Sequence, residues 1–299
     1  MSYMFTPRAV QEELAEEQIR PSKALGQNFV CDKNTVDKIL SLADLSKDRK
    51  VIEIGPGLGA LTFPLAELSS HVLAVEKDLR LAERLAKSLP ASVKVLARDA
   101  LDVDWDRLCA MGWSDICGLP LMGRDPPSES LDIADNQTWA LVANLPYNIA
   151  AQLIISVLEQ TERITDMLVM VQKEVGMRLS AKAGSRDYGI STLKLSYFAE
   201  AKLAGKVSRE IFFPKPNIDS VLIKIKRRPP EEIRTDFADY KVISYLAVKA
   251  FSQRRKMLRH SLKNLLSDSA YAEASVLPSA RPEELDINAW SRLAKCYNY

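Results

Sequence analysis

Apolar and polar positions follow two rhythms along this chain. Short β-rich runs come first: Val51-Ile52-Glu53-Ile54, His71-Val72-Leu73-Ala74-Val75, Val93-Lys94-Val95-Leu96, Trp139-Ala140-Leu141-Val142-Ala143 and Met167-Leu168-Val169-Met170-Val171. Between the early runs lie stretches of helical period, Leu58 to Leu68 and Leu79 to Leu89. Strands alternating with helices predict an α/β fold, an open and mostly parallel sheet with helices on both faces. Ile218 to Ile225 reads as a late strand, and Arg227-Arg228-Pro229-Pro230 reads as a linker. Beyond it, Ile243 to Leu266 and Glu283 to Leu293 read as helices with no strand signal. The expected organisation is a domain over 1–228 and a small all-α domain over 229–299. Met111 to Gln137 fits neither rhythm. It carries Gly112, Gly118, Pro120, Gly123, Pro126 and Pro127 among scattered acids, and reads as a long loop.

Composition changes this picture little. The 299 residues suffice for one large core and a smaller second domain, and 47% apolar with 27% charged residues is ordinary for a globular chain. No apolar run is long enough to span a bilayer, so no membrane partner is expected. The first 20 residues include Glu12, Glu13, Glu16 and Glu17 and do not read as a secretory signal. Cys31, Cys109, Cys117 and Cys296 contain no Cys-x-x-Cys pair and only two His are present, so no metal site is expected and a reduced, cytoplasmic setting fits.

The distribution of charge says more than its sum. Asp99 to Asn136 holds nine acids and two bases, whereas Lys202 to Arg228 holds eight bases against Glu210 and Asp219. A second basic cluster, Arg254-Arg255-Lys256 with Arg259 and Lys263, has no acid nearby in sequence. Two basic segments suit a polyanionic partner such as RNA, and equally a solvated surface whose counter-charges lie elsewhere in the fold. Charge alone leaves these two readings even.

Candidate chemistry begins at Glu53-Ile54-Gly55-Pro56-Gly57-Leu58-Gly59, a strand-to-helix junction. Glycines there permit a tight turn and let a ligand lie against the main chain. Dinucleotide enzymes use a similar loop, but with Gly-x-Gly-x-x-Gly spacing rather than the Gly-x-Gly-x-Gly seen here. Glu76 ends the next strand, where an acid accepts ribose hydroxyls, and Asp99 follows the third, where a carboxylate accepts from an adenine amine. Together they favour a nucleoside-type cofactor over a purely structural turn. Asn144-Leu145-Pro146-Tyr147 follows the fourth run, at the carboxyl edge where open α/β sheets bind ligands. An exocyclic adenine amine is a poor nucleophile because its lone pair is delocalised into the ring. A site that methylates it needs acceptors for the amine hydrogens, and the Asn144 side chain with a backbone carbonyl near Leu145 or Pro146 can supply them. Tyr147 offers a flat face for an extruded base, a contact worth about 1–3 kcal/mol. The bland alternative is an Asx-type turn with a buried tyrosine.

With these motifs in order, the chain closely resembles the ribosomal RNA adenine dimethyltransferases, the KsgA/RsmA group, through nearly its whole length. Lys23 to Phe29 is similar to the family's N-terminal signature, Val51 to Thr62 to its cofactor loop, Val75-Glu76 to its ribose acid and Asp99-Ala100-Leu101 to its adenine-ring site. Asn144 to Tyr147, Gln172 to Val175, Tyr188-Gly189, Phe212 to Pro216 with Ile218-Asp219-Ser220, and Phe251 to Leu258 match further segments. The resemblance implies a class I S-adenosylmethionine-dependent methyltransferase, Rossmann-like, with a seven-stranded mostly parallel sheet and a small helical C-terminal domain. It implies N6-dimethylation of two adjacent adenines in a hairpin near the 3′ end of 16S ribosomal RNA, in the 30S subunit or its precursor, by a monomer without metal. It further implies that Asn28, Val30, Gly55, Gly57, Glu76, Asp99 and Asn144 hold S-adenosylmethionine, and that Asn144, Leu145, Pro146, Tyr147 and Phe212 form the target pocket. Arg254, Arg255 and Lys256, on a basic helix, are then the expected RNA contacts.

The chain departs from the family in its longer 111–137 segment and in Ala183-Gly184, where Pro-Gly is usual. Core packing is the commoner fate of Phe, so of Phe212 and Phe213 one is expected in the core and one in the site. The rivals are the related large-subunit dimethyltransferase, a DNA adenine methyltransferase, a non-catalytic assembly factor on the same fold, and an NAD-dependent dehydrogenase. The basic Phe251 to Leu258 tail and the intact Asn144 to Tyr147 motif favour the small-subunit enzyme.

Overall fold

The computed structural model describes residues 6–22, 24–122 and 138–297. Nine strands form among them in chain order: β1 (Phe29–Val30), β2 (Lys50–Ile54), β3 (His71–Glu76), β4 (Val93–Ala97), β5 (Trp139–Asn144), β6 (Ile164–Gln172), β7 (Ala199–Val207), β8 (Phe212–Phe213) and β9 (Ser220–Arg227). Seven of them make one sheet in the order β4-β3-β2-β5-β6-β9-β7. The pairs β4–β3, β3–β2, β2–β5 and β5–β6 are parallel, and β6–β9 is antiparallel. This is an open, mostly parallel sheet, as the alternation of strands and helices predicts.

The strand sequences explain the central position of β2, β3 and β5. Val51, Ile52, Ile54, Val72, Leu73, Ala74, Leu141 and Val142 are all buried, because helices cover both faces. The flanking helices start at side-chain caps. The Asp32 carboxylate accepts the Thr35 N–H at 2.8 Å to open helix Lys33–Ala43, and Asp78 accepts the Arg80 N–H at 3.1 Å to open Leu79–Ala86. Chain order reverses between β2 and β5, and the carboxyl ends Ile54, Glu76, Ala97 and Asn144 face the same edge of the sheet.

The chain divides into two compact units, Met1–Gly176 with Lys202–Lys226, and Met177–Ala201 with Arg227–Tyr299. Residues 177–201 therefore join the helical unit rather than the domain that a single cut after residue 228 would assign them to. That unit packs helices Ile190–Phe198, Tyr240–Phe251 and Ile287–Lys295 around Leu193, Leu246, Ala247 and Trp290.

Several elements differ from the pattern-based expectation. The helix expected from Leu58 starts at Thr62, because Gly55, Gly57 and Gly59 adopt positive φ. The helix expected over Ile243 to Leu266 ends at Phe251 and resumes only as Leu258–Ser261. Arg254 and Arg255 lie in the intervening turn, which ends at Lys256 and Met257, so Arg254, Arg255 and Lys256 are not helical. Strand β7 escapes the pattern because only its end residues Ala199 and Val207 are buried. Part of the 111–137 segment is ordered: Trp113–Gly118 forms a helix, and the Leu121 carbonyl accepts the Ala97 N–H at 2.7 Å, covering the open edge of β4. Residues 123–137 lie outside the described residues.

Candidate active site

A cleft lies over the carboxyl edge of β2, β3 and β5, built wholly from the first unit. With its open mouth included, the cleft encloses about 1010 Å³. The floor is the glycine loop. Gly55 (φ +69°) donates its N–H to the Val75 carbonyl at 2.9 Å, which ties the loop to β3. Gly57 (φ +57°) lies under the Phe29 ring, where a Cβ would come within 3.0 Å of the ring carbons. Packing of Phe29 thus requires glycine at 57.

Glu76 is buried and fixed from both sides. The Gly57 N–H donates to Oε2 at 3.2 Å and the Asp78 N–H to Oε1 at 2.9 Å. Burial raises its pKa, and those N–H groups pull it back. A carboxylate has about four acceptor positions, so two remain for a ribose diol. Asp99, one strand over, lines the same cleft and accepts the Leu101 N–H at 3.0 Å and the Lys77 ammonium at 2.5 Å. Burial pushes its pKa up, but Lys77 and the Leu101 N–H outweigh burial and hold it below the usual carboxylate range.

Sequence reasoning assigns no role to Glu53. It is 2% exposed, lines the cleft, and its Oε2 has no hydrogen-bond partner among the described residues. Burial pushes its pKa up to about 8; the Thr62 hydroxyl works against that and Glu76 adds to it. The signal in the sequence is a carboxylate in the middle of an apolar strand. Lys77 and Gln27 also escape the motif reading. Gln27 Nε2 donates to Asp78 Oδ2 at 3.2 Å and pins the N-terminal signature segment to helix Leu79–Ala86. Lys23, the first residue of that segment, lies outside the described residues.

Asn144 closes the cleft at the end of β5. Its Nδ2 donates to the Asn28 carbonyl at 3.0 Å, while its Oδ1 is buried with no partner among the described residues. Asn28 in turn donates its own side chain to the Gly26 carbonyl at 3.0 Å. Val30 follows in β1, which pairs antiparallel with β8 as Phe29↔Phe213 and Val30↔Phe212. The Leu145 N–H donates to the Met170 carbonyl at 3.1 Å. The Pro146 carbonyl accepts from the Ile149 N–H at 3.2 Å.

Tyr147 and Phe212 meet edge to face, with ring centroids 6.5 Å apart and planes at 79°. Phe212 is 3% exposed and its body belongs to the core with Val30, Val36 and Ile39. Phe212 is thus a core residue that also touches Tyr147, and the half-buried Phe213 packs beside Phe29 and Leu14. Asn28, Val30, Gly55, Gly57, Glu76, Asp99, Asn144 and Pro146 all line one cleft. Arg254, Arg255 and Lys256 do not; they belong to the helical unit. Arg254 is occupied there, donating to the Arg186 and Tyr188 carbonyls at 2.9 Å each and facing Glu283. Arg255 and Lys256 are exposed.

The residues present fit a nucleoside ligand. They offer a tight glycine turn, the Glu76 carboxylate and an unpartnered Asn144 oxygen. With the strand order above, this defines a class I methyltransferase. The chain belongs to the ribosomal RNA adenine dimethylase family, whose model matches residues 19–298. Ribosomal RNA small subunit methyltransferase A of Bifidobacterium adolescentis is 37% identical over 294 residues, covering 94% of this chain and 90% of that protein. Among solved structures, a dimethyladenosine transferase from Plasmodium falciparum matches with a TM-score of 0.66 at 21% identity, over 89% of this chain and 95% of its own. The 23S rRNA methyltransferase ErmE matches with a TM-score of 0.61 at 22% identity, over 90% and 99%. These two likenesses concern the fold.

Proposed function

We propose that this protein dimethylates N6 of two adjacent adenines in a hairpin near the 3′ end of 16S ribosomal RNA, within a 30S subunit or its precursor in the cytoplasm. S-adenosylmethionine is the co-substrate, held by Asn28, Val30, Gly55, Gly57, Glu76, Asp99 and Asn144. When bound, it supplies a methyl group made electrophilic by the sulfonium. The protein's task is then to orient and partly localise a weak nucleophile.

The observation that carries this reading is the buried, unpartnered Asn144 Oδ1 in the same turn motif as the Tyr147 ring. Such an acceptor is costly to leave unsatisfied, and an amine hydrogen from a ligand satisfies it. With a backbone carbonyl near Leu145 or Pro146 taking the second hydrogen, the adenine amine is held at two points and its lone pair is drawn out of ring conjugation. Tyr147 supplies the stacking face and Phe212 the wall beside it. The names of the relatives support the small-subunit target. A cleft completed within one chain supports action as a monomer.

Small-subunit particles lacking the modification, incubated with the protein and labelled S-adenosylmethionine, test this. Dimethyladenosine at two adjacent positions of 16S RNA is expected by mass analysis. Label only in large-subunit RNA, or none, would overturn the reading.

A further inference from the structure

Resting on the reading of Tyr147 as the base platform, we propose that Ser220 is a positioning residue for methyl transfer, fixing the direction in which the Tyr147 ring points. The two hydroxyls lie 2.6 Å apart, 73 residues distant in sequence. Ser220 is 1% exposed and opens β9, its Cα opposite Gln172 at the end of β6. Asp219 just before it is held twice: its carbonyl accepts the Lys173 N–H at 3.0 Å and its carboxylate accepts the Arg209 N–H at 3.1 Å. Ser220 is therefore a fixed post, clamped by the sheet on one side and by Asp219 on the other.

Tyr147 has the opposite character. It sits in the turn between β5 and helix Ala150–Gln160, is only half-buried, and on its own retains rotation about two side-chain bonds. The hydroxyl oxygen lies on the axis of the second of these bonds, so the hydrogen bond at the tip fixes the direction of the ring through the first. The pinned ring stands at 79° to Phe212, so a base stacked on the Tyr147 face meets Phe212 across the same angle. A swing of the Tyr147 ring about its Cα–Cβ bond would displace the stacked adenine, and with it the amine, from Asn144 Oδ1. Positional errors of about 1 Å in a reacting group cost up to ~100-fold in rate. A hydrogen bond that merely satisfies two hydroxyls would affect stability and leave turnover untouched.

A double-mutant cycle separates these roles, using Ser220→Ala, Tyr147→Phe and both together in the full-length protein. Tyr147→Phe keeps the ring and removes only the hydroxyl. Each single change is expected to lower kcat on small-subunit particles about tenfold, with S-adenosylmethionine affinity unchanged. The double variant should be no slower than either single, because both remove the same hydrogen bond. Ser220→Thr, which keeps the hydroxyl, should recover most of the rate. Single variants within twofold of wild-type kcat, or rate reductions that multiply in the double variant, would overturn the proposal. Wild-type protein that transfers no methyl would instead defeat the reading of the site itself.

Discussion

The Asn144 amide donates to the Asn28 carbonyl at 3.0 Å, and by doing so leaves its own oxygen in the cleft with no donor among the described residues. One side chain thus ties the Asn28 segment to the end of β5 and keeps a buried acceptor unused. Asn144→Ala is expected to lower kcat at least ~100-fold while S-adenosylmethionine affinity changes only a few-fold, the pattern of an interaction made chiefly in the transition state. Steady-state kinetics with calorimetric titration check this; turnover that survives within a few-fold removes Asn144 from the chemistry.

Glu76 accepts two backbone N–H groups and keeps two acceptor positions toward the cleft. Glu76→Ala should weaken S-adenosylmethionine binding by about 1.5–3 kcal/mol, the range for hydrogen bonds to charged groups. The variant's titration isotherm decides it, and unchanged affinity in a folded variant would place the ribose elsewhere.

Glu53 gives the protein a pH dependence of definite sign. Its carboxyl titrates at about 8 when folded, against an ordinary value of 4.5. The folded chain therefore holds a proton that the unfolded chain has released, and this group's contribution to stability falls as pH rises from about 4.5 to about 8. Glu53→Gln, which cannot ionise, should flatten the decline of Tm across that window. Identical slopes for variant and wild type would mean that Glu53 is ionised in the fold.

The basic cluster should divide in function. Arg254 is engaged with two carbonyls of its own unit, so Arg254→Ala should cost about 0.5–1.5 kcal/mol of stability. Arg255→Ala with Lys256→Ala should leave Tm unchanged. The pair should lower the slope of log binding against log salt for RNA particles by up to ~0.9 for each phosphate no longer neutralised. An unchanged slope would make Arg255 and Lys256 a solvated surface.

Much of this is legible in the sequence because it depends on local pattern. The central strands are visible as apolar runs, since strands buried on both faces admit little else. The glycine loop, Glu76, Asp99 and Asn144 are legible because each sits at or just past a strand end. Strands β1 and β8 have two residues each and carry no period to detect. The hydrogen bond of Tyr147 with Ser220, and the ion pair of Lys77 with Asp99, depend on which strands the topology brings side by side. The break after Phe251 escapes the pattern because apolar Leu258 and Leu262 continue to suit a helical face, while Lys256 and Met257 turn the backbone away from it.

The short ribbon of β1 and β8 sets Val30, two residues past Asn28, opposite Phe212. The Asn28 segment and Phe212 are thereby tied together by main-chain pairing as well as by side chains, so a substitution that breaks either two-residue strand unsettles both.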